Sequence, residues 1–365
     1  MRLGFFIMPI HPPGRTYTDT LKEDRELVLF AEELGFTEGF FGEHITDAAE
    51  TITSGLIFIA SLLHATRTIK LGTGTVNLPN HHPAMVAAEV AMVDHMAEGR
   101  FIFGISPGGL LSDAEVFGNL ERDRAAMFAE SIDHILKIWA GEAPYNLKGD
   151  YWSVSTARTM MPEIGQGTIL KPYQQPHPPI VITAASPFSQ SVTRAAKRGW
   201  EVISANFLQP QWVKTHWGNY VEGCREGGRE AEPQNWRVAK SIFVADDEAT
   251  AKRYATAHTG PYYHYFYSLL TKLKKGGRAI QFKTDPDLPD EDLDLDTIVD
   301  QLVIYGTPNR VAEELLAFRD TIGEFDTLLY AGHDWVDKKL AKRSMELMAT
   351  QVMPQINRAT PQEPV

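Results

Sequence analysis

A single cysteine, Cys224, stands in 365 residues, which rules out a disulfide framework and any metal site built on thiolates. Basic residues are in deficit: 35 Lys and Arg against 47 Asp and Glu give a formal charge of -12. A chain so acidic carries no expectation of a nucleic-acid partner, which calls for a basic face. No apolar run approaches the roughly 20 residues of a spanning helix. The N-terminal MRLGFFIMPIHPP is broken by Pro9, Pro12 and Pro13, so it reads as a buried strand rather than a leader. The expectation is a soluble, cytoplasmic protein without a membrane partner. Short motifs are missing too. There is no HExxH, no GxSxG and no Walker A sequence, and no metal site is expected. Gly72-Thr73-Gly74 fails as a dinucleotide fingerprint because Asn77 stands where the third glycine belongs.

What is present is a regular alternation. Short apolar runs at Leu3–Met8, Glu38–Phe41, Lys70–Thr75, Phe101–Ile105, Ile180–Thr183, Val202–Ala205, Arg237–Val244 and Thr327–Tyr330 alternate with helical patterns such as 19–34, 83–96, 122–139, 189–198, 211–227 and 308–321. Strand–helix alternation of this length predicts an α/β fold, a single (β/α)8 TIM barrel over residues 1–354, with a doubly wound open sheet as the second choice. Two intervals break the rhythm. Residues 142–179, after the fourth strand, are rich in Pro, Gly and aromatics, and residues 258–297, after the seventh, contain PYYHYFYSLL. Long connections of this kind are usually functional. The aromatic run reads equally well as a lid over an apolar pocket or as a helix face buried in a dimer. Residues 355–365 read as a disordered tail.

Three strand ends carry unusual polar or glycine-rich sequence, at the face where barrels of this kind keep their chemistry. Glu43-His44 follows GFFG. GTGTVNLPNHHP follows the third strand, and its Gly72 and Gly74 would let a flat ligand approach the backbone. VITAASPFSQS follows the fifth, where Thr183, Ser186 and Ser189 place hydroxyls and amides at a helix start suited to a phosphate. Each alone is an ordinary loop or cap. Together they describe a pocket for a flat, phosphate-bearing cofactor.

GEH after a strand, LGTGTVNLPNHHP before a helix ending in EGR, FIFGISPGG and a late GTPNRV together resemble the bacterial luciferase-like flavin monooxygenases, over nearly the whole chain. Within that family the pattern is most similar to the diketocamphane and limonene monooxygenases. The resemblance implies reduced FMN as cofactor, supplied by a separate NAD(P)H:flavin reductase, with dioxygen adding at flavin C4a. It implies a small apolar substrate such as a cyclic ketone, terpene or aldehyde, and a homodimer. His44 falls on the catalytic histidine and Glu43 on its acidic neighbour. Gly74-Thr75 falls where the family has a non-prolyl cis peptide under the flavin. Ser106, Thr183, Ala184, Ser186 and Ser189 fall among the cofactor-binding positions. Tyr151, Trp152, Met160 and Met161 of the first interval, with Tyr263 and Phe266 of the second, are the expected substrate wall and lid. Pro107 and Ala185 depart from the luciferases, which carry Arg and Glu there, so phosphate binding would rest on hydroxyls and amides. An F420-dependent hydride-transfer enzyme and a non-catalytic flavin-binding protein are the alternatives.

Overall fold

The computed structural model describes residues 1–8 and 10–360. The eight barrel strands are β1 (Arg2–Ile7), β2 (Glu38–Phe41), β3 (Lys70–Thr73), β4 (Phe101–Ser106), β5 (Ile180–Ala184), β6 (Glu201–Ser204), β7 (Trp236–Val244) and β8 (Thr327–Gly332). All pair in parallel in chain order, and β8 pairs back onto β1 while β7 joins β6, so the sheet closes and the open-sheet alternative is excluded. The strands are buried along nearly their whole length, which is why they read as continuous apolar runs rather than alternating ones.

Phe6, Phe40, Ile102, Val181, Ile203, Ala239 and Leu329, one from each strand but β3, fill the barrel interior. On β3 the corresponding space belongs to Phe40, for a Cβ on Gly72 would stand 2.5 Å from its ring. Gly72 is therefore a packing glycine, not the ligand-facing one its loop suggested. β3 and β4 approach so closely that a Cβ on Gly104 would lie 1.8 Å from the Thr73 carbonyl oxygen. The Thr73 hydroxyl bonds both the Gly104 amide and its carbonyl, at 2.9 and 2.7 Å. Below this layer the Arg237 guanidinium is buried between Glu38 and Glu201, and it lies over the Phe40 ring.

β7 divides its partners. Arg237 to Lys240 pair with β8, whereas Ser241 to Val244 pair with an extra strand, Val303–Gly306. The barrel thus splays between β7 and β8 at its C-terminal mouth. The first long interval, 142–179, runs from the end of the helix Arg124–Ala140 to the start of β5, so it belongs to the N-terminal face. Gln174 bonds the carbonyl of Phe101 at the start of β4, and Pro179 accepts the Phe103 amide. It contains a hairpin, Asn146–Lys148 with Ser153–Ser155. The second interval contains a 15-residue helix, Pro261–Lys275. The expected tail at 355–365 is corrected in its first part, because the helix Met353–Ala359 buries Ile356 completely. Residues 361–365 lie outside the described residues. Among the described residues, no helix is long and apolar enough to cross a membrane.

Candidate functional site

β2 ends in Gly42-Glu43-His44, and the two side chains take different roles. Glu43 is buried, and its carboxylate accepts the amides of Gly55 (3.1 Å) and Asn77 (3.0 Å), with His81 Nε2 at 3.4 Å. Those bonds clamp the loop after β2 to the loop after β3. Glu43 is thus a positioning residue, with its oxygens already spent. The Gly74–Thr75 peptide in that second loop is cis, and the following Val76–Asn77 pairs with Ile105–Ser106. Ser106 donates to Asn77 Oδ1 at 2.8 Å and accepts the Gly108 amide.

His44 faces a partner that the sequence did not reveal. Its Nδ1 lies 2.8 Å from Asp113 Oδ2, and its Nε2 lies 3.5 Å from Glu50. Asp113, buried in the short helix Leu111–Val116, is also held by the amide and hydroxyl of Thr46. Burial works against ionising both groups, yet the His44 hydrogen bond and the Thr46 donors hold the Asp113 carboxyl below its ordinary pKa. Burial likewise opposes charge on His44, but Glu50 and Asp113 raise its pKa above the usual histidine range. Asp113 therefore accepts the hydrogen bond of Nδ1–H, and Nε2 is the nitrogen left for chemistry at the mouth.

The helix Pro261–Lys275 lies across that mouth, the placement a lid requires. Lys272 bridges Asp47 and Glu50, both at 2.5 Å, beside His44. Tyr265 donates to Asn206 after β6, Arg278 to the Gly109 carbonyl after β4, and Gln281 to the Ala185 carbonyl after β5. One segment thus touches the loops after β2, β4, β5 and β6. The wall residues differ from those expected. Tyr151 and Trp152 sit in the hairpin turn, where their amides bond Glu130 on the outside of the barrel; with Met160 and Met161 they lie in a helix-to-strand connection and do not line the mouth. Tyr263 stacks on the exposed His258, away from the mouth. Phe266 packs inward against Tyr265 and Phe282. Tyr262 and Tyr265 are the lid aromatics that reach the barrel.

The phosphate-side residues show unspent donors. Thr183 at the end of β5 has a buried hydroxyl without a partner, and Ala184 closes that strand, fully buried. Ser189 is the N-cap of the helix Gln190–Lys197, but its hydroxyl pairs with Ser191 and leaves the first helical amides uncapped by any side chain. The Ser186 carbonyl accepts His216 Nε2 at 2.8 Å, and burial pushes the His216 pKa down to about 4. Sequence reading found no cation here. The fold supplies two: Arg124 donates to the Gly108 carbonyl and Arg278 to that of Gly109, and neither has a carboxylate partner among the described residues. Burial and the charge of Arg124 lower the Arg278 pKa, a repulsion that an anion would relieve. Leftover hydroxyls, amides and guanidinium groups suit a phosphate-bearing flavin.

A buried cluster of His11, Glu23 and Asp334 has metal-like geometry. Arg15 bridges Glu23 and Asp334, however, and His11 lies between Asp24 and Asp334. Its carboxylates already have their positive charge.

Residues 1–324 match the family profile of luciferase-like monooxygenases. The chain is 30% identical over 358 residues to 4-hydroxyprotoasukamycin monooxygenase of Streptomyces nodosus subsp. asukaensis, covering 97% of this chain and 92% of that one. It is 30% identical to limonene 1,2-monooxygenase of Rhodococcus erythropolis, covering 97% and 86%. The structure of the oxygenating constituent of 3,6-diketocamphane monooxygenase from Pseudomonas putida, in complex with FMN, superposes with a TM-score of 0.87 at 27% identity over 98% of both chains.

Proposed function

The chain belongs to the luciferase-like monooxygenase family, and from that premise we propose that it is the oxygenase component of a two-component system, using reduced FMN from a separate NAD(P)H:flavin reductase. Reduced FMN supplies the electrons that divide dioxygen, one atom entering the substrate and the other leaving as water. The protein's own part is to bind, exclude water and manage protons. Thr183, Ser186, Ser189, Arg124 and Arg278 would hold the phosphate, and Gly74 and Thr75 after β3, with Ser106 at the end of β4 bonded to the same loop through Asn77, would hold the ring. His44 Nε2 keeps a proton at the mouth where negative charge develops.

The observation that carries this reading is the tether of Lys272 to Asp47 and Glu50, 3.5 Å from His44 on the Glu50 side. It closes an aromatic lid over His44. Closure of that kind protects a reactive reduced cofactor from solvent. The substrate is a small apolar molecule, because the lid's barrel-facing residues are Tyr262, Tyr265 and Phe266, and the two arginines of the mouth, Arg124 and Arg278, are assigned to the phosphate.

Rapid mixing of the protein and reduced FMN with oxygenated buffer, followed by flavin absorbance, tests the reading. Flavin reoxidation far slower than in free solution supports it. Reoxidation at the free-flavin rate overturns it and directs the next experiment to F420 binding. The macromolecular partner in this reading, beside the reductase, is a second copy: Met85, Met92 and Met96 are exposed at spacings that keep them on one side of the helix Pro83–Ala97, and Ile57 is exposed on Gly55–Leu62, which packs beside it. Sedimentation of Met92→Glu as a monomer, against a wild-type dimer, tests that assignment.

A further inference from the structure

The loop after β5 is gripped by a neighbouring helix, Pro210–Glu226, and every hydrogen bond between the two falls on the loop's main chain. His216 Nε2 lies 2.8 Å from the Ser186 carbonyl, which can only accept, so that nitrogen carries a proton. Burial keeps the ring neutral, with its pKa lowered to about 4, and Nδ1 is therefore an acceptor. The Ser204 hydroxyl at the end of β6 donates to Nδ1 at 2.8 Å and accepts the Trp236 Nε1 proton at 2.9 Å. Ser204, His216 and Trp236 are wholly buried, so both the tautomer and the orientation of the ring are fixed.

Two more side chains of the same helix complete the grip. Thr215 Oγ1 donates to the Trp212 carbonyl at 2.6 Å and accepts the Phe188 amide at 3.0 Å. Asn219 Nδ2 donates to the Ser189 carbonyl at 3.0 Å. Phe188 has a φ of 50°, in the left-handed region that residues with a side chain seldom adopt, and its ring rests on Trp212 at 5.9 Å. Such a conformation persists where its surroundings enforce it, and here one helix does so. The grip uses neither serine hydroxyl, and it leaves the first amides of the helix Gln190–Lys197 uncapped by any side chain.

We propose that His216 is a positioning residue for the phosphate end of the flavin. With Thr215 and Asn219 it holds loop 186–189 in the one conformation whose hydroxyls and amides take the phosphate, and so sets the preference for FMN over the same flavin without its phosphate. A neutral imidazole adds no charge attraction of its own to an anion, so its effect passes through the loop. This deepens the oxygenase reading and rests on it for the flavin.

Reduced FMN and reduced riboflavin serve as probes, since they differ only in the phosphate. Their affinities for the whole protein are read without oxygen, by quenching of tryptophan fluorescence. The wild type is expected to bind FMN more tightly than riboflavin. His216→Leu is expected to weaken FMN about tenfold, the size of one buried hydrogen bond, and to leave riboflavin unchanged. His216→Gln puts an amide nitrogen within reach of the Ser186 carbonyl and is expected to recover most of the loss. Thr215→Val, at a half-buried position, is expected to weaken FMN alone by a smaller factor; it keeps the test intact should His216→Leu fail to fold. A general loosening of the barrel would weaken both flavins together. Equal binding of the two flavins by the wild type, binding of neither, or parallel loss of both in Thr215→Val overturns the proposal. Flavin reoxidation is measured separately: an FMN preference without slowed reoxidation sinks the oxygenase reading alone, and slowed reoxidation without that preference sinks the grip alone.

Discussion

His44 and Asp113 stand 69 residues apart in the chain, and their side chains meet at 2.8 Å. Thr46, two residues after the histidine, holds the other Asp113 oxygen, so the carboxylate is fixed on both sides. Asp113 raises the His44 pKa. Asp113→Asn is therefore expected to move the alkaline limb of the pH–activity profile to lower pH. It should also lower coupled product formation roughly 10- to 100-fold, less than removal of an acid–base group itself. Product yield across pH, with reductase-supplied flavin, checks both. An unmoved limb removes Asp113 from the tuning of His44.

Lys272 is the lid's charged tether, and its pKa is raised because Glu50 and Asp47 outweigh its burial. Lys272→Met keeps the aliphatic stem and removes the tether. Hydrogen peroxide released per flavin oxidised should rise roughly two- to fivefold as water reaches the cofactor, with the melting temperature nearly unchanged. A peroxidase-coupled assay reads the ratio.

Gly104 is where β3 and β4 come closest. Gly104→Ala forces a Cβ into the Thr73 carbonyl and should cost about 3 kcal/mol or more, since backbone rather than a flexible side chain must move. Gly218, inside the helix Pro210–Glu226, has open space at its Cβ position and no positive φ. Gly218→Ala should instead stabilise by about 0.5–1 kcal/mol. Urea unfolding of the pair gives opposite signs or refutes the packing argument.

Lys240 on β7 is buried against the Phe318 ring. Burial lowers its pKa to about 8, only partly offset by Glu314. The folded state thus holds this proton less tightly than the unfolded chain, whose lysine titrates near 10.4. The residue penalises folding below about pH 8, and the penalty fades as pH climbs toward the unfolded value. Lys240→Met should stabilise at pH 7 by about 1–3 kcal/mol, with a gain that shrinks by pH 10. A constant or growing gain across that range contradicts the assignment.

The order of strands was legible because each barrel strand is buried on both faces and reads as an apolar run between loop-forming residues. The clustering of Glu43-His44, the Gly74-Thr75 loop and Thr183 to Ser189 at one end followed from that order, since parallel strands put every βα loop on the same face. The hairpin interval misled for a related reason: composition marks a long connection but not which end of the barrel it serves. Tyr151 and Trp152 follow a helix, and that places them on the far side.

The sequence by itself determined the alternation of parallel strands and helices and the place of Glu43-His44 at a strand's C-terminal end, because hydrophobic period and loop chemistry are local properties. Only the tertiary structure decided what those residues meet. Asp113 reaches His44, Arg124 and Arg278 bring cations to the loop after β4, and Lys272 ties the helix Pro261–Lys275 to Asp47 and Glu50. Each is a contact between segments distant along the chain. It depends on the splay of β7 from β8 and on the path of the lid helix, which sequence spacing does not encode.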